Sequence, residues 1–254
     1  HPHDIAIRPA DTHFYVLENN FGGQIYQCDA AGVCILLVNG GSIPEFYIDQ
    51  TRNLEVDADL NFYLSLPYRN VILKIPAAGG YTSAQIYYGT LDVPYVTSAG
   101  YFSQPTGVAL DGEYNLYITD QNRITKMTPA GNVLWTFGTP GVNVGDPSEV
   151  MPNMAQLALD SSENVYVQDN DRDRVMILLP DGSYGASIYA SDFPAGQTFG
   201  MISSIAVGPT GQLYIGDGNR VQVYTHNIVL GWQYQSTIDG GGVFNGVFAL
   251  AVRT

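Results

Sequence analysis

A triplet with two apolar residues around a variable one recurs along the chain and predicts a β-strand at each occurrence. The steps between successive triplets are 49, 54, 49, 48 and 45 residues. The triplets begin at Ile5, Leu54, Val108, Leu157, Ile205 and Leu250. A period of this size indicates repeated units of one four-stranded propeller blade each.

A second predicted strand follows each of the first five triplets and carries a tyrosine between two apolar residues. These tyrosines lie 9 or 10 residues after the start of the triplet: Tyr15, Tyr63, Tyr117, Tyr166 and Tyr214. In most units an acid follows three residues later and an arginine six residues later. The spacing predicts structural pairs within the blades: Asp120 with Arg123, Asp169 with Arg172, and Asp217 with Arg220.

The predicted fold is all-β, a single β-propeller domain over 1–254 with four-stranded antiparallel blades. The repeats run approximately over 1–50, 51–103, 104–152, 153–202 and 203–247, with a partial repeat over 248–254. That partial repeat supplies only the inner strand of a sixth blade: Ala249, Leu250, Ala251 and Val252. The ring is either six-bladed, completed by residues beyond Thr254 or by another chain, or five-bladed with a spare strand. An unfinished blade exposes an edge to which a copy of the protein can add a strand.

Composition narrows the functional classes. The chain has 10 Lys and Arg against 24 Asp and Glu, a net charge of −14, so its field repels phosphate backbones and nucleic acid is not expected as a partner. Its 28 glycines and 14 prolines are typical of a turn-rich β protein. No apolar run approaches the roughly 18 residues that cross a bilayer, so membrane insertion is not expected either.

Both cysteines of the chain flank a predicted hairpin tip, Asp29 to Val33. Across an antiparallel pair, Cys28 and Cys34 face each other and form a disulfide, or they remain two unpaired thiols on adjacent strands. A disulfide favours an oxidising compartment, and therefore a secreted or cell-surface protein.

Residues Gln104 to Lys126 carry the clearest copy of the repeat: Pro-x-x-apolar-Ala-apolar-Asp, then Asn-apolar-Tyr-Ile-x-Asp, then Asn-Arg-Ile. This pattern resembles the NHL-repeat β-propellers. Tyr117-Ile118-Thr119-Asp120 is also similar to the related repeat of lipoprotein-receptor propellers, in which a tryptophan stands at the position of Ile118. The resemblance implies a rigid disc whose loops bind partners.

Enzymes of similar fold include a peptide-amidating lyase with histidine-held zinc and gluconolactonase-like hydrolases with carboxylates around a divalent ion. Neither set of ligands transfers to this chain, because His13 and His226 fall in turns opposite the long loops.

The segments between blades are long, and long loops are often functional. They combine acids with aromatic residues, which suits contact with a protein or a glycan. The candidate ligand-binding residues are Glu45, Tyr47, Asp92, Tyr95, Asp146, Glu149 and Asp192. The alternative is a solvated rim. The recurring acids that follow the tyrosines are able to line a site for a divalent cation such as calcium, but their repetition in most blades favours a structural role.

The sequence therefore predicts an extracellular NHL-like propeller that acts as a non-catalytic module. It binds a protein or glycan, or assembles with copies of itself through the unfinished blade. The alternative is a metal-dependent hydrolase or lyase of the six-bladed propeller type. No catalytic residue, metal ligand or cofactor is assigned.

Overall fold

The second and third strands of most repeats are apolar because they pack against a neighbouring blade. In the computed structural model, the strands Phe62–Leu66, Leu116–Asp120 and Arg174–Leu178 are buried along their whole length. Outer strands such as Cys34–Asn39 are largely exposed. The structure describes residues 2–7, 12–19, 22–43, 46, 48–91, 102, 104–120, 123–138, 156–239, 247 and 249–252.

Twenty strands form five sheets of four. Blade 1 contains β1 (Pro2–Ile7), β2 (Phe14–Glu18), β3 (Gln24–Cys28) and β4 (Cys34–Asn39). Blade 2 contains β5 (Asn53–Val56), β6 (Phe62–Leu66), β7 (Val71–Ile75) and β8 (Gln85–Gly89). Blade 3 contains β9 (Pro105–Leu110), β10 (Leu116–Asp120), β11 (Arg123–Met127) and β12 (Val133–Gly138). Blade 4 contains β13 (Leu157–Leu159), β14 (Val165–Asp169), β15 (Arg174–Leu178) and β16 (Tyr184–Tyr189). Blade 5 contains β17 (Ile202–Val207), β18 (Leu213–Asp217), β19 (Arg220–Asn227) and β20 (Gly231–Ile238).

Within every sheet the strands are antiparallel and follow chain order from the inner to the outer edge. Four short 3-10 turns cover Gly40–Ser42, Ile48–Gln50, Pro67–Arg69 and Ala190–Asp192. In the described part of the chain, no helix has the length and apolar character to cross a membrane. The five antiparallel blades confirm the predicted all-β propeller.

Four apolar cores fill the spaces between consecutive blades. Between blades 1 and 2, for example, the ring of Tyr15 meets that of Phe62 edge to face, with centroids 5.4 Å apart. Four of the five repeated tyrosines, Tyr15, Tyr63, Tyr117 and Tyr166, belong to these cores and are therefore packing residues. Burial of such aromatic rings supplies much of the stability of a fold of this kind.

The turn between the first two strands has its own repeated network. In blade 2, Asp57 accepts hydrogen bonds from the backbone of Asp59 and Asn61, and the hydroxyl of Tyr63 donates to its Oδ2 at 3.0 Å. The same contacts recur around Asp111 and Asp160 in blades 3 and 4. These aspartates hold turns on the face opposite the blade-to-blade segments.

The hairpin of β3 and β4 is closed by a disulfide between Cys28 and Cys34, which confirms the bonded alternative. A disulfide is typical of an oxidising compartment.

Candidate active site

The inner strands of the blades surround a central cavity of about 420 Å³. Side-by-side inner strands form its wall: β1 with β5, β5 with β9, β9 with β13, and β13 with β17. In the described part of the chain, β17 and β1 do not lie together in this way. The terminal residues Leu250 to Val252 line the cavity at that position. The cavity has the size of a small-molecule site.

Glu55 breaks the repeat inside this cavity. It is the middle residue of its triplet, and the other five triplets all have alanine there: Ala6, Ala109, Ala158, Ala206 and Ala251. Glu55 and its equivalents all belong to the wall of the cavity. A residue that packs a blade recurs from blade to blade, whereas a residue of a single site does not. Sequence reasoning missed Glu55, although the comparison of the triplets contains the signal.

Asp4 is the second carboxylate of the site. It is buried, and its Oδ2 accepts hydrogen bonds from the backbone N–H of Leu54 at 2.7 Å and from Nδ2 of Asn53 at 2.5 Å. These bonds join blade 1 to blade 2 and fix the carboxylate at the start of β5. They leave Asp4 held in one orientation beside the cavity.

The two carboxyl groups have unusual acidities. Burial raises the pKa of Asp4 to about 7, against the opposing effect of its hydrogen bonds. Burial and the charge of Asp4 raise the pKa of Glu55 to about 8. Near neutral pH the pair therefore holds at least one proton, as carboxyl pairs that carry out acid–base chemistry do.

Two further carboxylates at the cavity wall, Asp57 and Asp111, have structural roles. Asp57 and Asp111 bind their own turns, and each lies near a lysine: Lys74 Nζ is 3.9 Å from Asp57 Oδ2, and Lys126 Nζ is 3.1 Å from Asp111 Oδ2. Their charges are thus compensated within the blades. Asp4 and Glu55 form no ion pair with a Lys or Arg of the described residues, so no described base compensates them.

The terminal segment lies where the inner strand of a next unit would lie. The N–H of Leu250 donates to Oγ of Ser204 at 2.8 Å, and the N–H of Val247 donates to the carbonyl of Gly218 at 2.8 Å. Ala249, Leu250, Ala251 and Val252 nevertheless form no strand ladder within the described residues. The predicted strand is thus a single extended segment along β17, and it closes part of the cavity wall.

The repeated acids form ion pairs inside the blades. Arg123 donates to both oxygens of Asp120, at 2.8 and 2.7 Å, with both side chains buried. Arg220 Nη2 lies 2.7 Å from Asp217 Oδ2. In each case the two residues are opposite each other in the strand register.

In blade 4, Asp169 has a second arginine partner besides the predicted Arg172. Arg174 Nε lies 2.7 Å from Asp169 Oδ2, whereas Arg172 Nη1 lies 3.6 Å away. Four residues separate Asp169 from Arg174, but only two separate the equivalent pairs in blades 3 and 5, so the register partner falls two positions later. Strand register, and not a fixed sequence spacing, selects the arginine.

Most of the predicted ligand-binding residues lie outside the described part of the chain: Glu45, Tyr47, Asp92, Tyr95, Asp146 and Glu149. Asp192 is described, and its carboxylate accepts a hydrogen bond from the N–H of Tyr189 at 2.8 Å, which caps a short 3-10 turn.

The described residues do not make a metal site. No group of three or more His, Cys, Asp or Glu side chains among them is placed to hold an ion. A hard divalent cation takes six or more oxygen ligands, and Asp4 already shares its Oδ2 with Asn53 and Leu54.

No family model matches the chain, so its membership of the NHL family is not confirmed, and no curated protein matches it either. Solved structures match over 92% of this chain. A streptogramin B lyase matches over 68% of its own length, with a TM-score of 0.60 and 17% identity. A catalytically inactive histidine-to-alanine variant of virginiamycin B lyase from Staphylococcus aureus, solved with quinupristin, matches over 69%, with a TM-score of 0.58 and 16% identity. A gluconolactonase from Xanthomonas campestris matches over 75%, with a TM-score of 0.60 and 14% identity.

At these identities the similarity establishes the propeller fold alone. The three matched propellers are nevertheless enzymes, lyases and a lactonase by name. They overturn the prediction of a non-catalytic binding or self-assembly module, which assumed that a propeller without a recognisable catalytic motif has no activity.

Proposed function

We propose that this protein is a catalytic propeller, a hydrolase or lyase that cleaves the carbon–oxygen bond of a lactone or ester in its central cavity. The observation that supports the proposal is Glu55, a carboxyl group in the cavity wall where the five equivalent positions hold alanine. The lactonase and lyase activities named for proteins of the same fold agree with this reaction class.

Glu55 and Asp4 divide the acid–base work. Asp4, held as an acceptor by Leu54 and Asn53, removes a proton: from water in a hydrolysis, or from the carbon next to the breaking bond in an elimination. Glu55, whose pKa of about 8 keeps it protonated at neutral pH, gives its proton to the leaving oxygen as the carbon–oxygen bond breaks. The proton gained by Asp4 returns to Glu55 through solvent before the next cycle.

The sequence-derived alternative also includes a divalent ion held by loop carboxylates. Most of those carboxylates lie outside the described residues, and the proposed steps use only Asp4 and Glu55. We also propose an extracellular location, which the disulfide supports.

The experiment is an activity screen with a matched pair of variants. The wild type is assayed against glucono-1,5-lactone, other lactones and aryl esters, with added Mg²⁺ or Ca²⁺ and with a chelator. Glu55→Ala is expected to lower kcat/KM at least about 100-fold, the usual contribution of a general acid. Glu113→Ala removes the same charge from an exposed turn and is expected to keep full activity.

Two results would overturn the proposal. One is a wild-type protein that converts none of these substrates under any metal condition. The other is a Glu55→Ala variant that is as active as the wild type.

A further inference from the structure

We infer that the central cavity selects its ligands by charge, admitting neutral molecules and rejecting anions, including the carboxylate product of its own reaction. The identity of that product rests on the proposed function. The charge selection is a property of the cavity and is testable without any substrate.

The wall of the cavity is acidic and contains no opposing base. Four carboxylates line it, and the described lining residues include no Lys, Arg or His. Two of the four, Asp57 and Asp111, are compensated by lysines, which leaves Asp4 and Glu55, a pair that shares one proton near neutral pH, as the acids of the wall without a described basic partner. The negative charge of this pair repels an anion that enters the cavity, whereas a neutral molecule experiences no such repulsion.

The chain between the blades adds the same sign. Four of the five blade-to-blade stretches contain no Lys, Arg or His: 90–104, 138–156, 190–201 and 239–249. They do contain five acids: Asp92, Asp146, Glu149, Asp192 and Asp239. Of the five blade-to-blade stretches only 40–52 has a base, Arg52. The total charge of −14 gives the whole molecule a field that repels anions.

This charge distribution gives the proposed reaction a direction. A neutral lactone or ester enters without an electrostatic barrier. Hydrolysis adds water across the carbon–oxygen bond, and elimination moves a proton from carbon to a base as that bond breaks. Both reactions release a carboxylic acid that ionises to an anion. Because the acidic cavity repels this anion, it favours release of the product. Sugar phosphates and sugar acids are excluded as substrates on the same ground.

A single introduced thiol measures the selection directly. Both natural cysteines are in the disulfide, so a new cysteine is the only free one. Ala158 lines the cavity at the position equivalent to Glu55 and is partly exposed. Ala158→Cys is treated at pH 8 and low salt with two methanethiosulfonate reagents, one cationic (trimethylammonium) and one anionic (sulfonate). Thr210→Cys, in an exposed turn, is the matched control.

The expected ratio of cationic to anionic reaction rates is at least tenfold higher at position 158 than at position 210. Adding Glu55→Gln to Ala158→Cys is expected to lower the ratio, and adding Asp4→Asn as well is expected to bring it most of the way back to the control value. Gln156→Cys, also partly exposed in the cavity wall, provides a second position if the first variant does not fold.

Equal ratios at the cavity and control positions would overturn the inference, and so would a thiol that reacts with neither reagent. An inactive wild type with a high ratio would reject the proposed function and leave the charge selection intact. An active enzyme with equal ratios would reject the charge selection and leave the proposed function intact.

Discussion

The N–H of Leu250 donates to the side chain of Ser204 at the same repeat position at which the N–H of Leu54 donates to Asp4. The N–H of Val108 makes the third such bond, to Oδ1 of Asn53. In each case a polar side chain at the start of one inner strand holds the inner strand of the next unit. The terminal segment is therefore attached to blade 5 by the contact that joins neighbouring blades elsewhere.

Removal of that contact is expected to loosen the terminal segment. Ser204 is buried, so Ser204→Ala leaves the N–H of Leu250 without its acceptor and is expected to cost about 1 kcal/mol. In a domain of this size that corresponds to a fall in Tm of about 2–4 °C. Differential scanning calorimetry measures the loss, and hydrogen exchange at Leu250 is expected to accelerate.

The adjacent Ser203 provides the control, because its buried Oγ has no hydrogen-bond partner among the described residues. Ser203→Ala is expected to be neutral or slightly stabilising. If both substitutions lower Tm equally, the bond from Leu250 to Ser204 contributes nothing specific.

The repeat predicted the fold because each blade buries the same kinds of residue in the same places. The site was harder to find, because it depends on an exception to the repeat. Glu55 stands out among five alanines in the sequence, but only the cavity shows that this position faces a ligand-sized space. The second, closer partner of Asp169, Arg174, was missed for a related reason, since a turn with two extra residues moves the register without changing the strand pattern.

Replacement of the two arginines near Asp169 is expected to have unequal effects. Arg174 and Asp169 are both fully buried, so Arg174→Ala leaves the carboxylate with only the more distant Arg172 and is expected to destabilise the fold by about 3 kcal/mol. Arg172 is 25% exposed and farther away, so Arg172→Ala is expected to cost less than about 1 kcal/mol. Urea unfolding of the two variants measures the difference, and equal losses would show that register does not decide the pairing.

The hydroxyl of Tyr63 is expected to stabilise its turn. Tyr63→Phe removes the bond to Asp57 and keeps the ring in the core, so the expected cost is about 0.5–1.5 kcal/mol. Tyr68→Phe makes the same change on a side chain that is 61% exposed and is expected to be neutral. Thermal unfolding by circular dichroism compares the two, and an unchanged Tm for Tyr63→Phe would remove the turn network as a source of stability.

The acidity of Glu55 is expected to make the protein less stable as the pH rises. Its pKa is raised from 4.5 to about 8 in the folded state, so the folded protein binds this proton more tightly than the unfolded chain does. Stability from this group is therefore lost progressively as the pH increases from about 4.5 through about 8. Glu55→Gln, which resembles the protonated acid, removes this dependence.

The expected gain of Glu55→Gln over the wild type is close to zero at pH 4 and grows to about 1–3 kcal/mol at pH 9. Asp4 contributes in the same direction, because loss of the neighbouring charge lowers its own raised pKa. Nearby His3 and Arg52 are unchanged in both proteins, so their effects cancel in the difference. Urea unfolding at several pH values measures the gain, with Glu113→Gln on the exposed turn as control. Parallel stability curves for wild type and Glu55→Gln would mean that Glu55 titrates normally, and the assignment of Glu55 as the general acid would then lose its basis.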